Sequence, residues 1–470
     1  MESNTIHYTA IVLGAGPGGY PCGIRLGQLG VKTLVIEREY WGGVCLNVGC
    51  IPSKALITAG KRFEEIKHAD VMGIEVPGAP TLNMQKLQAW KQTVVNKLTG
   101  GVRTLLKGNK VDMVQGEAKF VAPKVLEVRN ADGVKHYSAD HIVIATGSRP
   151  IEIPGFSFKD ARILDSTKAL ALSEVPKRLA VIGGGYIGLE LGGMYAKVGA
   201  AVTVIEMADQ LLPGFDPEVV KLIDRKLRKD KVAIQLKAQA LGWEASDNGI
   251  VLRYKNADGE QSLEVDYILV TVGRRPNTDA IGLENTGVAM EGRFIKSDKQ
   301  QKTSVEGLYT IGDCTTGLML AHKATHEGEV VAEVIAGHSV YNDAKTVPAV
   351  VFTDPEIATA GLMENEARAK NIPVRVGKVP FAAIGRALTT GETDGFIKVV
   401  IHAETHRVLG VTIVGPHASD LISECALAVE MDCEALDIGL TIHPHPTLGE
   451  GVMEAAKAAL GEAVHILNQA

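Results

Sequence analysis

Residues 11–39 read IVLGAGPGGYPCGIRLGQLGVKTLVIERE, and residues 180–208, AVIGGGYIGLELGGMYAKVGAAVTVIEMA, align with them without a gap. Each copy runs from an apolar strand through a glycine-rich turn and a helix of small residues to a second strand that ends in an acid. A G-x-G-x-x-G turn in this place is typical of a dinucleotide-binding unit. The repeat therefore predicts an α/β fold with two Rossmann-like domains.

The glycines and acids of both copies are the residue types that a bound dinucleotide requires. Glycine lets the backbone turn tightly and approach a pyrophosphate at a helix N-terminus, and the acid can hydrogen-bond a ribose diol. The acid follows the first glycine by 23 residues in each copy, from Gly14 to Glu37 and from Gly183 to Glu206. Tight packing would explain one such motif, but two in the same context favour two nucleotide sites.

Cys45 and Cys50 stand in GGVCLNVGCIPSKAL, residues 42–56, with four residues between them. Zinc would need further Cys or His ligands, and none lies nearby in the sequence. A structural disulfide would close only a short loop and remove little entropy from the unfolded chain. A redox pair is favoured, and it begins eight residues after Glu37. Because a flavin accepts electrons from thiolates and gives hydride to nicotinamide, we expect FAD in the first unit and NAD in the second.

The residues after the second cysteine predict two unequal sulfurs. Pro52 suits the first turn of a helix, which puts Cys50 at the helix N-terminus, where partial positive charge favours a thiolate. Cys45 would then be the sulfur that exchanges with substrate. Lys54 would lie near the same helix face, with a solvated surface lysine as the alternative. Glu190, in an apolar helical run, needs a partner, and we expect Lys54 to be that partner.

A thiol substrate must lose its proton before it attacks a disulfide, so a histidine with an orienting acid is required. Residues 443–450, HPHPTLGE, supply His445 and Glu450 in a segment that two prolines hold extended. A metal site here would lack further ligands, and we expect no resident metal. A histidine that serves only packing is the remaining alternative.

Composition limits the class of protein. The 470 residues are enough for about three domains, and 46% apolar with 22% charged residues is ordinary for a globular chain. The formal net charge of -6 does not suggest the excess of basic residues that nucleic-acid binding requires, so we do not expect a nucleic-acid partner. The apolar run 179–205 is interrupted by charges and rich in glycine, which makes it a poor membrane span. Strand-like sequence from Tyr8 leaves no room for a secretory segment, so we expect a cytoplasmic protein.

The motifs together resemble the pyridine nucleotide-disulfide oxidoreductase family over nearly the whole chain. In family order stand GAGPGG at 14–19, GGVCLNVGCIPSKAL at 42–56, ATGSRP at 145–150, GGGYIGLE at 183–190, VGRRPN at 272–277, YTIGDC at 309–314, AHKATHEG at 321–328 and HPHPTLGE at 443–450. The branch that the chain resembles oxidises dihydrolipoamide on a lipoyl protein, with NAD as acceptor. The resemblance implies this activity, bound FAD and NAD, a homodimer, and a lipoyl-bearing acyltransferase or similar lipoyl protein as partner.

The resemblance also implies roles for individual residues. Cys45 would exchange with substrate, and Cys50 would contact the flavin as a thiolate. His445 would be the base, oriented by Glu450 and contributed by the other subunit. The expected FAD contacts, including an ion pair beside the flavin, are Gly14, Gly16, Gly19, Glu37, Lys54, Glu190, Gly116, Asp313 and Ala321. The expected NAD contacts are Gly183, Gly184, Gly185, Tyr186, Ile187, Gly188, Glu206, Ala238 and Gly273.

The predicted domains are an FAD-binding domain at 1–150, an NAD-binding domain at 151–275, a central segment at 276–345 that completes the FAD domain, and a C-terminal α+β dimerisation domain at 346–470. Two alternatives stay open. Glutathione reductase resembles the chain in the dithiol and HPT segments, but it typically pairs NADP with basic residues where this chain has Glu206. The other alternative is a subunit that mainly docks in a multienzyme complex.

Overall fold

The computed structural model describes residues 5–468, and the first repeat unit opens a seven-stranded sheet. In chain order the elements are β1 (Ile6–Leu13), α1 (Gly19–Gln28), β2 (Thr33–Glu37), α2 (Gly43–Val48), α3 (Cys50–Lys67), α4 (Met84–Gly108), β3 (Asp112–Gln115), β4 (Glu117–Ala122), β5 (Val125–Asn130), β6 (Gly133–Ile144) and β7 (Ser148–Pro150). β1 pairs in parallel with β2 and β6, and β2 with β3, while β5 and β4 extend the sheet antiparallel. The glycine turn after β1 therefore lies at the carboxyl ends of parallel strands, where α/β sheets bind ligands.

The second repeat unit opens a five-stranded parallel sheet in the order β11-β10-β9-β15-β8. The elements are β8 (Ile163–Leu164), α5 (Ser166–Ala169), β9 (Arg178–Ile182), α6 (Tyr186–Lys197), β10 (Ala201–Ile205), α7 (Pro217–Lys229), β11 (Ala233–Gln235), β12 (Gln239–Ser246), β13 (Gly249–Asn256), β14 (Gly259–Val265), β15 (Tyr267–Val270) and β16 (Arg274–Pro276). β12, β13 and β14 form a separate antiparallel sheet. β16 pairs antiparallel with β7, so the chain enters and leaves this part side by side.

The following segment returns to the first sheet. Its elements are β17 (Met290–Glu291), β18 (Phe294–Ile295), β19 (Leu308–Thr310) and α8 (Ala321–Ile335). β19 pairs in parallel with β6, and α8 packs against α1. The second unit is thus inserted between strands of the first sheet. The domain boundaries at 150, 275 and 345 stay predictions.

The C-terminal part is an antiparallel sheet in the order β20-β21-β24-β23-β22, packed against helices. Its elements are β20 (Ala349–Val351), β21 (Glu356–Gly361), α9 (Glu364–Ala369), β22 (Val374–Pro380), α10 (Gly385–Thr390), β23 (Phe396–His402), β24 (Val408–Gly415), α11 (Ala418–Glu430), α12 (Ala435–Leu440) and α13 (Glu450–Leu460). α13 packs against β22 and β23, and α11 against β21 and β24. This is the α+β architecture that the sequence predicts.

A shared hydrophobic core joins these parts around α3. It contains Leu56 of α3, Leu189 and Met194 of α6, and Val351 of β20, all of them buried. Burial of such side chains stabilises each by about 1.5–3 kcal/mol relative to exposure. The helix that carries the dithiol is therefore held by three parts of the chain at once.

One stretch of the described residues, Gly43–Lys67, is long and apolar enough to cross a membrane by length and composition alone. It consists of α2 and α3, which meet at Gly49. α3 packs against α4 and α6. Helices that pack inside a domain pass the same test, and this packing favours that interpretation.

Candidate active site

A cavity of about 600 Å³ lies where the first glycine turn, the dithiol helices and the start of α6 converge. The expected site residues that line it are Gly14, Gly16, Glu37, Cys45, Cys50, Lys54, Gly116, Tyr186, Ile187, Glu190, Asp313 and Ala321. Its walls within residues 5–468 do not include Gly19, Gly183, Gly184, Gly185, Gly188, Glu206, Ala238, Gly273, His445 or Glu450. The fold thus brings most of the expected FAD contacts to the dithiol and keeps the rest of the second unit apart from it.

The dithiol is divided between two helices. Cys45 lies in α2, and Cys50 is the first residue of α3; both are free thiols. Gly49 separates the helices with φ -135° and ψ -115°. A Cβ at Gly49 would come within 2.9 Å of the carbonyl oxygen of Val44, so glycine is required there. This break brings the second sulfur to a helix N-terminus beside the first.

The two sulfurs differ in acidity because one donates a hydrogen bond to the other. The hydrogen bond from Cys45 lowers the pKa of Cys50 to about 7; burial opposes this shift, the ammonium of Lys54 adds to it, and the carboxylate of Glu190 opposes it. The same hydrogen bond, together with burial, raises the pKa of Cys45 above its ordinary value. Cys45 therefore holds the proton, and Cys50 is the thiolate near neutral pH.

The ion pair expected beside the dithiol is present. Lys54 Nζ lies 2.7 Å from Glu190 Oε2, and the Glu190 side chain is only 4% exposed. A buried carboxylate is costly unless it is paired and hydrogen-bonded, and Glu190 has both kinds of contact. Its other oxygen accepts the backbone N–H of Phe352 at 2.9 Å.

The acids of the two repeat units make matching contacts. Glu37 accepts the backbone N–H of Ala15 at 2.7 Å, and Glu206 accepts that of Gly184 at 2.6 Å. Each acid also accepts the backbone N–H two residues further along the chain, at 2.7 Å in both copies. Besides the sugar contact that the sequence suggests, each carboxylate therefore braces its own glycine turn.

The backbone of both turns suits a pyrophosphate. Gly14 and Gly183 have φ of +104° and +106°, a region that favours glycine. The N-caps of α1 and α6 have no side-chain cap, so no side chain at the cap competes with an anion at these helix starts, although the backbone N–H of Tyr20 donates to the carbonyl oxygen of Gly16. A Cβ at Gly43 would meet Gly16 Cα at 2.5 Å, so the dithiol segment approaches the first turn closely. These features fit a flavin dinucleotide in the first unit and a second dinucleotide at α6.

The expected residues outside strong motifs also lie against the acids. Gly116 donates its backbone N–H to the carbonyl oxygen of Glu37, and Ala238 donates to that of Glu206, both at 2.9 Å. The third glycine of each motif is required by close packing. A Cβ at Gly19 would lie 1.9 Å from the carbonyl oxygen of Gly14, and a Cβ at Gly188 would lie 2.2 Å from that of Gly183. Gly273, with φ +125°, starts the return to the first sheet.

His445 and Glu450 form a hydrogen-bonded pair at the start of α13. His445 Nδ1 lies 2.9 Å from Glu450 Oε1, and the histidine side chain is 78% exposed. Because a carboxylate only accepts, Nδ1 carries the proton and Nε2 is left as the basic nitrogen. Burial opposes the charge of Glu450, but the N–H of Thr447 and the imidazole of His445 hold its pKa below the ordinary value.

Sequence reasoning missed a polar chain that reaches Asp313. Arg274 Nε donates to Ser148 Oγ at 2.8 Å, and Ser148 Oγ donates to Asp313 Oδ2 at 2.5 Å. Arg274 also donates to the carbonyl oxygen of Ser148 at 2.7 Å. The motifs ATGSRP and VGRRPN contain these residues, but their pairing depends on the contact between β7 and β16.

Two family models match the chain. Residues 8–328 match the model described as pyridine nucleotide-disulphide oxidoreductase, and residues 347–456 match the dimerisation domain of the same family. The chain belongs to the pyridine nucleotide-disulphide oxidoreductase family. The expected fold class, two dinucleotide-binding domains with a C-terminal dimerisation domain, is confirmed.

Curated relatives in the family match the chain from end to end. A relative from Geobacillus stearothermophilus, named dihydrolipoyl dehydrogenase, is 51% identical over 466 residues, which cover 99% of this chain and 98% of the relative. Proteins of the same name are 50% identical in Bacillus subtilis, covering 98% of each chain. In Thermus scotoductus such a protein is 48% identical and covers 98% of this chain and 99% of its own.

Solved structures in the family share the whole architecture. LpdA from Mycobacterium tuberculosis has a TM-score of 0.89 at 28% identity, covering 96% of this chain and 99% of its own. The HOCl-induced flavoprotein disulfide reductase RclA from Escherichia coli has a TM-score of 0.86 at 27% identity, with the same coverage. The matched dimerisation domain supports a homodimer, and exposed Leu427, Leu440 and Ile442 give that domain apolar surface.

Proposed function

We propose that the chain oxidises protein-bound dihydrolipoamide to lipoamide and reduces NAD to NADH, with FAD as its bound cofactor. The observation that carries this proposal is the pair of unequal sulfurs, Cys45 and Cys50, in the same cavity as the first dinucleotide unit. The substrate is supported by relatives of about the same length that are named dihydrolipoyl dehydrogenase. Glutathione reduction is less supported, because Glu206 would repel a 2′-phosphate.

The residues that would hold the cofactors lie in the two units. The first turn, with Glu37 and Asp313, would bind FAD in the segments 1–150 and 276–345, and the turn before Glu206 would bind NAD in 151–275. When bound, FAD supplies a two-electron relay between the dithiol and NAD. The remaining expected contacts are proposed in the same roles.

The thiol exchange begins with the oxidised dithiol. His445 of the partner subunit accepts the proton of one substrate thiol at Nε2, and the resulting thiolate attacks Cys45 Sγ. The new sulfur–sulfur bond forms as the bond between Cys45 and Cys50 breaks, and Cys50 leaves as the thiolate. The second substrate thiol then displaces Cys45, which keeps a proton. The substrate loses two electrons and two protons; the dithiol gains the electrons, and His445 and Cys45 hold the protons.

The pKa values match the end of this exchange. The dithiol form has its proton on Cys45 and its charge on Cys50, which is the distribution that their hydrogen bond favours. Cys50, at the N-terminus of α3, is a good leaving group because a thiol of lower pKa leaves faster. The two sulfurs are thus suited to different steps.

A homodimer is required by this proposal, since His445 is expected to serve the other subunit through residues 346–470. The partner that carries the substrate would be a lipoyl-bearing acyltransferase (E2) or a similar lipoyl protein. We infer that the enzyme acts in the cytoplasm, where the cysteines outside the dithiol, among them the buried Cys22, Cys314 and Cys425, would stay reduced.

The test is an assay of the purified holoenzyme with dihydrolipoamide and NAD, beside glutathione disulfide and NADPH. We expect turnover in the first assay. Turnover only in the second would contradict the proposal. Cys50→Ser should abolish dihydrolipoamide oxidation and leave FAD bound, whereas retained activity would show that the pair is not the electron relay.

A further inference from the structure

Phe352 contacts both members of the ion pair beside the dithiol, although it does not line the cavity. It follows β20, in the part of the chain that matches the dimerisation domain. Its ring lies 4.4 Å from Lys54 Nζ, measured to the ring centroid, which is a cation–π distance. Its backbone N–H donates to Glu190 Oε1 at 2.9 Å.

These contacts restrain both members of the ion pair. Glu190 is shared between Lys54 at one oxygen and the Phe352 N–H at the other. The Lys54 side chain is long and flexible, and one carboxylate oxygen alone would let its ammonium swing about that contact. The aromatic face behind the ammonium restricts this movement. Because the backbone N–H and the ring come from one residue, the carboxylate and the ammonium are fixed relative to each other.

The position of this pair affects the thiolate. The titratable groups that act on Cys50 include, among residues 5–468, Cys45 from α2, Lys54 from α3, and Glu190 and Tyr186 from α6. Lys54 lowers the pKa of Cys50 and Glu190 raises it, so the net effect depends on which charge lies closer to the sulfur. A small displacement of the ammonium toward solvent would leave the carboxylate in place and reduce the favourable contribution.

We propose that Phe352 is a positioning residue whose ring and backbone N–H hold Lys54 and Glu190 in an arrangement that places the ammonium to support the charge of Cys50. The C-terminal domain thereby adjusts the reactivity of a dithiol that the first domain carries. The role of the thiolate in catalysis rests on the proposed function, but the thiolate itself can be measured without substrate.

The experiment follows the ultraviolet absorbance of the Cys50 thiolate across the neutral pH range, in holoenzyme reduced with dithiothreitol and freed of excess reductant, as the difference from Cys50→Ser at each pH. In the parent protein this absorbance should rise with a midpoint of about 7. Phe352→Leu keeps the backbone N–H and removes the ring. We expect its midpoint to move up by roughly half a pH unit, which lowers the ratio of thiolate to thiol at a given pH by roughly threefold.

Phe352→Tyr is the matched control, because it keeps the ring and should keep the midpoint of the parent protein. A second control uses Lys54→Met, in which Phe352→Leu should have no further effect if the ring acts through the ammonium. An unchanged midpoint in Phe352→Leu, or an equal shift in the Lys54→Met background, would overturn the proposal.

Folding is checked in each variant by retained flavin absorbance, and Phe352→Met replaces the leucine variant if that one does not fold. The titration uses no lipoyl substrate. Failure to oxidise dihydrolipoamide would therefore overturn the proposed function and leave the role of Phe352 to be decided by the titration alone.

Discussion

At the scale of single residues, the chemistry depends on which sulfur keeps the proton. The hydrogen bond from Cys45 is the largest cause of the lowered pKa of Cys50. In Cys45→Ala this bond is lost, so we expect the pKa of Cys50 to rise from about 7 toward its ordinary value of 9.0. Ultraviolet absorbance of the thiolate against pH measures the shift.

Cys45→Ser is the matched control for that variant, because its hydroxyl can still donate to the thiolate. We expect a smaller shift in the serine variant than in the alanine variant. Equal midpoints in both variants and in the parent protein would show that the hydrogen bond does not set the acidity of Cys50.

The base is the second prediction at this scale. His445→Gln removes the basic nitrogen, and general base catalysis contributes about 10²–10⁴-fold, so kcat for dihydrolipoamide oxidation should fall by that order. Glu450→Gln keeps the imidazole but weakens its orientation, and a smaller loss is expected. Steady-state kinetics measures both effects.

A reaction that does not use the dithiol provides the control for the base. Oxidation of NADH by an artificial dye should proceed at the parent rate in His445→Gln. If the dye reaction fell as far as the dihydrolipoamide reaction, the histidine would be acting on folding or cofactor binding, and its role as the base would be contradicted.

Residues with a local signal were predictable from the sequence, and residues whose role depends on a distant contact were not. Cys50 follows a glycine and lies two residues before Pro52, so its place at a helix N-terminus could be predicted. Glu190 could be recognised because a carboxylate in an apolar helix needs a partner. Phe352 has no such signal, because an apolar residue after a strand is ordinary until its neighbours are known.

At the scale of elements, the acid that follows β10 is expected to determine which nicotinamide dinucleotide the second repeat unit binds. Glu206 accepts the backbone N–H of Gly184 in the turn and that of Ala208 just after β10, and it is the expected ribose contact. Hydrogen bonds to a charged group contribute about 1.5–3 kcal/mol, so Glu206→Ala should lower kcat/KM for NAD by roughly 10- to 100-fold. Glu206→Arg should in addition raise the ratio of NADPH to NADH use.

The equivalent acid of the first unit separates the two sites. Glu37→Ala should weaken retention of FAD during gel filtration without changing the preference between NADH and NADPH. If Glu37→Ala changed that preference, or Glu206→Ala released FAD, the assignment of the two cofactors to the two units would be wrong.

Element boundaries show where the repeat was informative and where it was not. The strands and helices of both units follow from the alternation of apolar residues with glycine turns, and the structure has them in the expected order. The sequence did not predict that Cys45 has its own short helix, because the break at Gly49 is set by a close approach to Val44. For Glu37 and Glu206, the sequence predicted only the contact with a ribose. Their hydrogen bonds to the glycine turns depend on the pairing that places β2 and β10 beside those turns.

At the scale of the whole molecule, the parts are joined by charges as well as by apolar packing. Lys398 of β23 is 2% exposed and lies 2.8 Å from Asp216, 3.1 Å from Glu218 and 3.1 Å from Glu364. Asp216 and Glu218 belong to the start of α7 in the second unit, whereas Glu364 begins α9. These contacts were not predictable from the sequence, because they connect residues far apart in the chain across a domain contact.

Removal of this ammonium should destabilise the molecule more at neutral pH than in acid. Lys398→Met leaves three carboxylates without their shared cation. Breaking a fully buried pair costs about 3–5 kcal/mol, and partial exposure of Glu218 reduces the expected loss to about 2 kcal/mol. Despite the opposing effect of burial, Lys398 helps to hold the pKa of Asp216 and of Glu218 below their ordinary values.

Since these folded-state pKa values are lowered, the stabilisation is present above the ordinary values of 3.8 and 4.5 and is lost as the pH falls through the folded-state values. Thermal unfolding from pH 7 to pH values below 4 should therefore show a gap between the parent protein and Lys398→Met that narrows in acid. Lys378→Met, at a half-exposed lysine that also pairs with Glu218, is the control and should give a smaller gap. A gap of constant size across this range would mean that Lys398 contributes through packing alone.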